Sequence, residues 1–141
     1  MPTLHTYDYA VVRVVPRVER GEFINAGVIV SCAASQSLHA CIDLEDARLL
    51  ALDPGADVTG LRMALAALPI ICAGGDAAGA LGKLSVRERF HWLVAPRSTS
   101  IQTSPVHTGR STDLSSTMEQ LMQRMVRTPK PRAAREAPLL P

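Results

Sequence analysis

Residues 97–107, Arg-Ser-Thr-Ser-Ile-Gln-Thr-Ser-Pro-Val-His, hold most of the groups in this chain that could do chemistry. Arg97, Ser98, Gln102, Ser104 and His107 stand there around only two large apolar side chains, Ile101 and Val106. Such a polar segment is costly to bury, so it should run on the surface or line a wet cleft. A guanidinium there offers a forked donor suited to a carboxylate or phosphate. A histidine can exchange a proton near neutral pH, and a serine can donate a hydrogen bond. A second group lies near the N-terminus. Arg13 interrupts an apolar run, Arg17 follows it, and Asn25 opens the triplet Asn25-Ala26-Gly27 in a second apolar run. A guanidinium inside such a run needs a partner. It can snorkel to the sheet edge, pair with Glu22 or Asp8, or line a pocket.

These residues support two readings. In the first, the protein is a small binding or regulatory module, and 97–107 is the segment that takes an anion or a partner's acidic group. In the second, it is a small enzyme acting on a phosphorylated or nucleotide-like substrate. Arg13, Arg17 and Arg97 then hold the anion, His107 moves a proton, and Ser98 or Ser104 donates. The first is preferred, because no catalytic constellation stands out. There is no metal-type cluster, no nucleophile elbow and no carboxylate spacing that marks a working pair, so no catalytic residue, metal or cofactor is assigned. The simplest readings of His107 and His39 are a turn residue and a solvated strand residue. On the first reading Arg97→Ala should leave the fold nearly intact.

The elements that must position these groups begin with 7–32. Tyr7–Val15 and Phe23–Cys32 are rich in Val, Ile and Tyr, apolar at odd and even positions alike, which suits strands covered on both faces. Pro16 should close the first strand, and 17–21 should connect it, ending on a permissive Gly21. The product is a long antiparallel hairpin, with a bulge or close backbone approach at Gly27. Leu38, Ala40 and Ile42 alternate with polar residues and predict a third strand. A turn near Gln36-Ser37 would set Cys32 opposite Cys41.

Helices are predicted from Leu44 to about Leu52, capped by Asp43, and from Asp57 or Thr59, with a stripe at Leu61, Ala64, Leu65 and Leu68. Pro69 should end or kink the second, and Gly74-Gly75 should stop it. Residues 76–83 read as a Gly- and Ala-rich loop. They lack the Gly-Lys-Ser/Thr of a phosphate loop. Ser85-Val-Arg-Glu88 is a capping box that starts a third helix, ended by Pro96, with Trp92 off its apolar face. Ser98 to Ser104 could be a strand. Asp113 should cap a last helix that buries Leu114, Met118, Leu121, Met122, Met125 and Val126. The fold class is therefore α+β, an antiparallel sheet begun by the hairpin, with about four helices packed mainly on one face.

The 141 residues are 47% hydrophobic and only 4% aromatic, so Leu, Val and Ala must fill the core. Residues 127–141 carry Arg127, Lys130, Arg132 and Arg135 against Glu136, a net +3 that leaves the remainder at −1. A single domain over 1–127 with a disordered, basic, Pro-rich tail over 128–141 is expected. A near-neutral body argues against a nucleic-acid face, leaving at most weak contact through the tail. With no secretory segment and no apolar run of spanning length, a cytoplasmic protein without membrane contact is expected. The three cysteines show no metal spacing and should be thiols. The expected partner is a protein or a small anionic ligand.

Three stretches taken together resemble a known bacterial family, domain of unknown function 3037. They are Tyr9-Ala-Val-Val-Arg-Val-Val-Pro, Glu19-Arg-Gly-Glu-Phe-Ile-Asn-Ala-Gly-Val-Ile and Arg89-Phe-His-Trp-Leu-Val-Ala-Pro-Arg-Ser-Thr-Ser-Ile-Gln-Thr-Ser-Pro-Val-His-Thr-Gly. The likeness runs from about 7 to 127 in order. Leu114 stands where the family pattern has Pro, which bears on a helix start. The family has no established activity. What the resemblance implies is a regulatory partner, in particular a kinase-like neighbour.

Overall fold

β1 (His5–Val14) and β2 (Ile24–Cys32) form the long hairpin that their Val- and Ile-rich sequences demand, in the computed structural model, which describes residues 3–129. The basic tail from residue 130 onward lies outside the described residues. Between the strands, 18–20 make one 3₁₀ turn, and Gly21 closes it at φ 69°. β2 then pairs with β3 (Ser37–Ile42). The outer side of β1 takes two short strands in succession: β4 (Ile101–Thr103) opposite Val12–Val14, and β5 (His107–Ser111) opposite His5–Tyr9. All pairings are antiparallel, giving a five-stranded sheet ordered β3-β2-β1-β4, with β5 beside β1.

The register shifts between Val12 and Arg13: Val12 faces Gly27 while Arg13 faces Asn25, so Ala26 is the extra residue of a bulge. This is the interruption that Asn25-Ala26-Gly27 announced. The cysteine pairing differs from expectation. The chain turns at Ala33–Gln36, with Gln36 at φ 49°, so Cys32 faces Ser37 and Cys41 faces Val28. Cys32, Cys41 and Cys72 are free thiols, and burial pushes that of Cys72 up to about 12.

Helices cover both faces of the sheet, three on one and one on the other. α1 (Asp46–Leu52), α2 (Val58–Ala73) and α3 (Val86–Val94) bury Leu49, Leu65, Ile71, Phe90 and Leu93 against Val12, Val14, Ile24 and Ile29. α4 (Leu114–Met125) packs Leu121 and Met122, with Val126 just beyond, on Val28 and Val30 of the opposite face. The caps of α3 and α4 stand where the sequence places them, and for α2 the structure selects Asp57 over Thr59. The side chains of Asp57, Ser85 and Asp113 accept from the amides of Gly60, Glu88 and Ser115. Asp43 does not cap α1. Glu45 occupies the N-cap position without a side-chain bond, and Asp43 pairs instead with Arg127. α2 runs through Pro69 to Ala73 and stops at Gly74 and Gly75, both at positive φ. Residues 76–83, read as a loop, form 3₁₀ turns broken at Gly79. No single helix among the described residues is long and apolar enough to cross a membrane.

Candidate functional site

The sheet brings 13–27 and 97–107 together. Arg13 lies between Asn25 on one side and Gln102 on the other, one row across β2, β1 and β4. Strand alternation puts this row on the α4 face, with Tyr7, Tyr9 and Val11 of β1. Asn25 is an anchor there: its Nδ2 donates to the Met125 carbonyl at 2.8 Å and pins the end of α4. Gln102 Nε2 donates to the Thr99 carbonyl. Arg13 pairs with neither carboxylate expected of it, since Glu22 binds Arg20 and Asp8 binds Arg87. Its guanidinium lies 4.2 Å from the Phe23 ring centre, a stack that shelters an aromatic 44% exposed. Arg13 Nε and Asn25 Oδ1 are both buried without a hydrogen-bond partner.

The other candidates separate from this row. Arg17 bonds the buried Asp53 at 3.3 Å and ties the β1–β2 connection to the end of α1. Ser104 is a brace. Its Oγ accepts from the Val11 amide and its own amide donates to the Val11 carbonyl, each at 2.8 Å, which carries the pairing from β4 to β5. His107 is a strand residue of β5 and not the turn residue expected, exposed opposite Tyr9 with ring centres 5.4 Å apart. Ser98 is an exposed bend between α3 and β4. The guanidinium groups of Arg13, Arg17 and Arg97 are each held by a different part of the chain, so they do not gather round one phosphate.

Arg97 belongs to a groove between α2, α3 and β4. Its Nη1 donates to the carbonyls of Leu93 at 2.9 Å and Ala95 at 3.4 Å, and its Nη2 to that of Trp92, so it caps the C-terminal end of α3. A cation suits that end of a helix dipole. The same guanidinium lies 4.3 Å from the Trp92 ring centre, and Trp92 is 41% exposed. The groove floor comes from Ala64, Ala67 and Leu68 of α2, and the two alanines are too short to fill the space out to Thr103 and the Trp ring. Its volume is about 180 Å³. No carboxylate lies within ion-pairing distance of Arg97 among the described residues. Sequence reading had Arg97 and Trp92 separately. What joins them is a spacing of five residues across a helix end, close enough for the Arg fork to reach back onto the last turn.

This geometry makes Arg97 a structural residue too, contrary to the expectation of a nearly silent substitution. Arg97→Ala removes charged hydrogen bonds to three carbonyls and should cost about 1–2 kcal/mol, discounted for exposure, or a few degrees in melting temperature. An unchanged thermal midpoint would show that solvent satisfies these carbonyls equally well.

These features define a single-domain α+β protein with an open antiparallel sheet and an aromatic–cation groove at its outer strand. The chain belongs to the family described as Protein of unknown function (DUF3037), whose model matches residues 9–126. No curated protein and no solved structure matches the chain.

Proposed function

We propose that the protein is a small binding module that recognises a partner protein through the Trp92–Arg97 groove. The observation that carries this reading is the exposed Trp92 ring under a guanidinium that bonds carbonyls and, among the described residues, no carboxylate, beside an apolar floor. Tryptophan and arginine are the residues most enriched among those that dominate interface energies. Volume decides between a small ligand and a side chain. Small-molecule sites run to roughly 300–1,000 Å³, and a groove of about 180 Å³ accommodates one or two side chains. The chemistry that fits is an apolar side chain seated on Ala64 and Leu68, next to a carboxylate facing Arg97. The sheet edge alongside is guarded against simple strand addition, because Pro105 and the Ser104 crossover break the row of free donors between β4 and β5.

The test is capture from the lysate of the protein's own host, with wild type and Trp92→Ala run in parallel and read by mass spectrometry. Trp92→Ala is the cleaner variant, because the bonds of Arg97 go to main-chain carbonyls and survive it. A partner held by wild type should bind Trp92→Ala about 30-fold more weakly, the effect of losing a 2 kcal/mol anchor. Equal recovery with both forms would place the docking surface elsewhere.

A further inference from the structure

A cavity of about 620 Å³ lies between the β2–β3 turn and the first turn of α3, lined by Ser31, Gln36, Ser85, Arg87 and Arg89. We propose that it is an oxyanion site of the phosphate class, separate from the Trp92–Arg97 groove and independent of the reading given to that groove. Two groups in its wall lack the partners that burial demands. Ser31 is 1% exposed and its Oγ makes no hydrogen bond. Arg89 is 8% exposed, and its Nε is buried without an acceptor. A buried hydroxyl or guanidinium N–H left unmade is costly, so a ligand that accepts from both is favoured.

The charge of Arg89 makes the case stronger. Its two terminal nitrogens donate to the Leu84 carbonyl and to that of Cys72 in the last turn of α2, which offer the partial negative charge of carbonyl dipoles but no full charge. No carboxylate pairs with it among the described residues, whereas Arg87 at the same helix end has Asp8 at 3.1 Å. A buried guanidinium held only by carbonyl dipoles, with one N–H still unbonded, is stabilised further by an oxyanion. α3 adds its own donors. Ser85 Oγ serves the amide of Glu88, which leaves the amides of Val86 and Arg87 at the positive end of the helix dipole. The Glu88 carboxylate accepts from the Ser85 hydroxyl, and that of Asp8 from Arg87 and Thr108. The cavity is several times larger than one phosphate, so a phosphorylated small molecule can enter with its phosphate innermost.

The test is a nitrogen-15 chemical-shift titration of the full chain with inorganic phosphate and, separately, with O-phosphoserine, at constant ionic strength. Saturable shifts should concentrate on the amides of Ser31, Val86 and Arg87, with the Trp92 indole unmoved. Tighter binding of O-phosphoserine assigns the site to phosphorylated small molecules, and equal or weaker binding assigns it to free phosphate. Ser31→Ala keeps the carbonyl bonds of Arg89 and so keeps the fold. It should weaken binding about 3- to 10-fold, the loss of one hydrogen bond to a charged group. Shifts scattered over surface cations, no saturation with either probe, or unchanged affinity in Ser31→Ala would overturn the proposal.

Discussion

Replacing Phe90 by Ala lowers the unfolding free energy by about 3–5 kcal/mol, the range for emptying an aromatic site in a packed core. Phe90 is 1% exposed and lies among Leu65, Ile71, Leu93, Val12 and Val14, where α3 meets α2 and the sheet. The chain has only two Phe, two Tyr and one Trp, and Phe23 and Trp92 are largely at the surface. The remaining core on this face is built from smaller side chains, which cannot close over a hole of that size without moving a helix. Domains of this size are stable by roughly 5–15 kcal/mol. The variant should therefore unfold at far lower urea, while Phe90→Leu loses much less. A cost below about 1 kcal/mol would mean that α3 is not held to the sheet by this ring.

Gly27→Ala should cost about 2–4 kcal/mol, through overpacking at a place that cannot yield. A Cβ there would sit 2.6 Å from the Cys41 carbonyl oxygen and 2.6 Å from Ile42 Cδ1. The methyl end of Ile42 can rotate away. The Cys41 carbonyl is part of the β2–β3 ladder, so relief requires opening the pairing next to the bulge. Gly21→Ala is the control. It keeps open space around the new methyl and must only hold φ 69°, so it should cost about 1 kcal/mol. Equal costs at the two positions, measured by urea unfolding, would show that the ladder beside Gly27 gives way easily.

Both residues show why much of the fold was legible. The 7–32 hairpin is written in β-branched and aromatic residues, and Asn25-Ala26-Gly27 has the composition of a bulge. Ser85 and Asp113 are legible because a cap is a local event that needs one side chain and an amide two or three residues on, and the same signal narrows the start of α2 to Asp57 or Thr59. Asp43, Glu45 and Asp46 are equivalent by type as caps, and only the path of the chain out of β3 selects among them. β5 is hidden in the sequence for a different reason. His107-Thr-Gly-Arg-Ser111 has no apolar alternation, and it is a strand because β1 offers it hydrogen bonds. The 3₁₀ turns of 76–83 likewise depend on Gly82 packing against Gly75, a tertiary contact.

The site was legible as residue types and not as roles. Arg13, Asn25 and Gln102 fall in one row, as a shared site would require, but Asn25 is used to anchor α4, and Arg13 shelters Phe23. Arg97 stands in a polar segment as a donor for an anion, and the sequence does not show a side chain folding back on its own helix. Ser31 and Arg89 carry no signal in the sequence. A Ser inside an apolar strand and an Arg four residues after an N-cap are ordinary by type, and only their missing partners mark them.

Trp92 is the only tryptophan in the chain, so its fluorescence reports on the groove alone. The decisive measurement is the emission spectrum of the wild-type protein titrated with the protein it captures. The account predicts a saturating blue shift as the ring leaves water, with a midpoint equal to the dissociation constant found independently. A complex that forms fully while the Trp92 emission stays unchanged would contradict it.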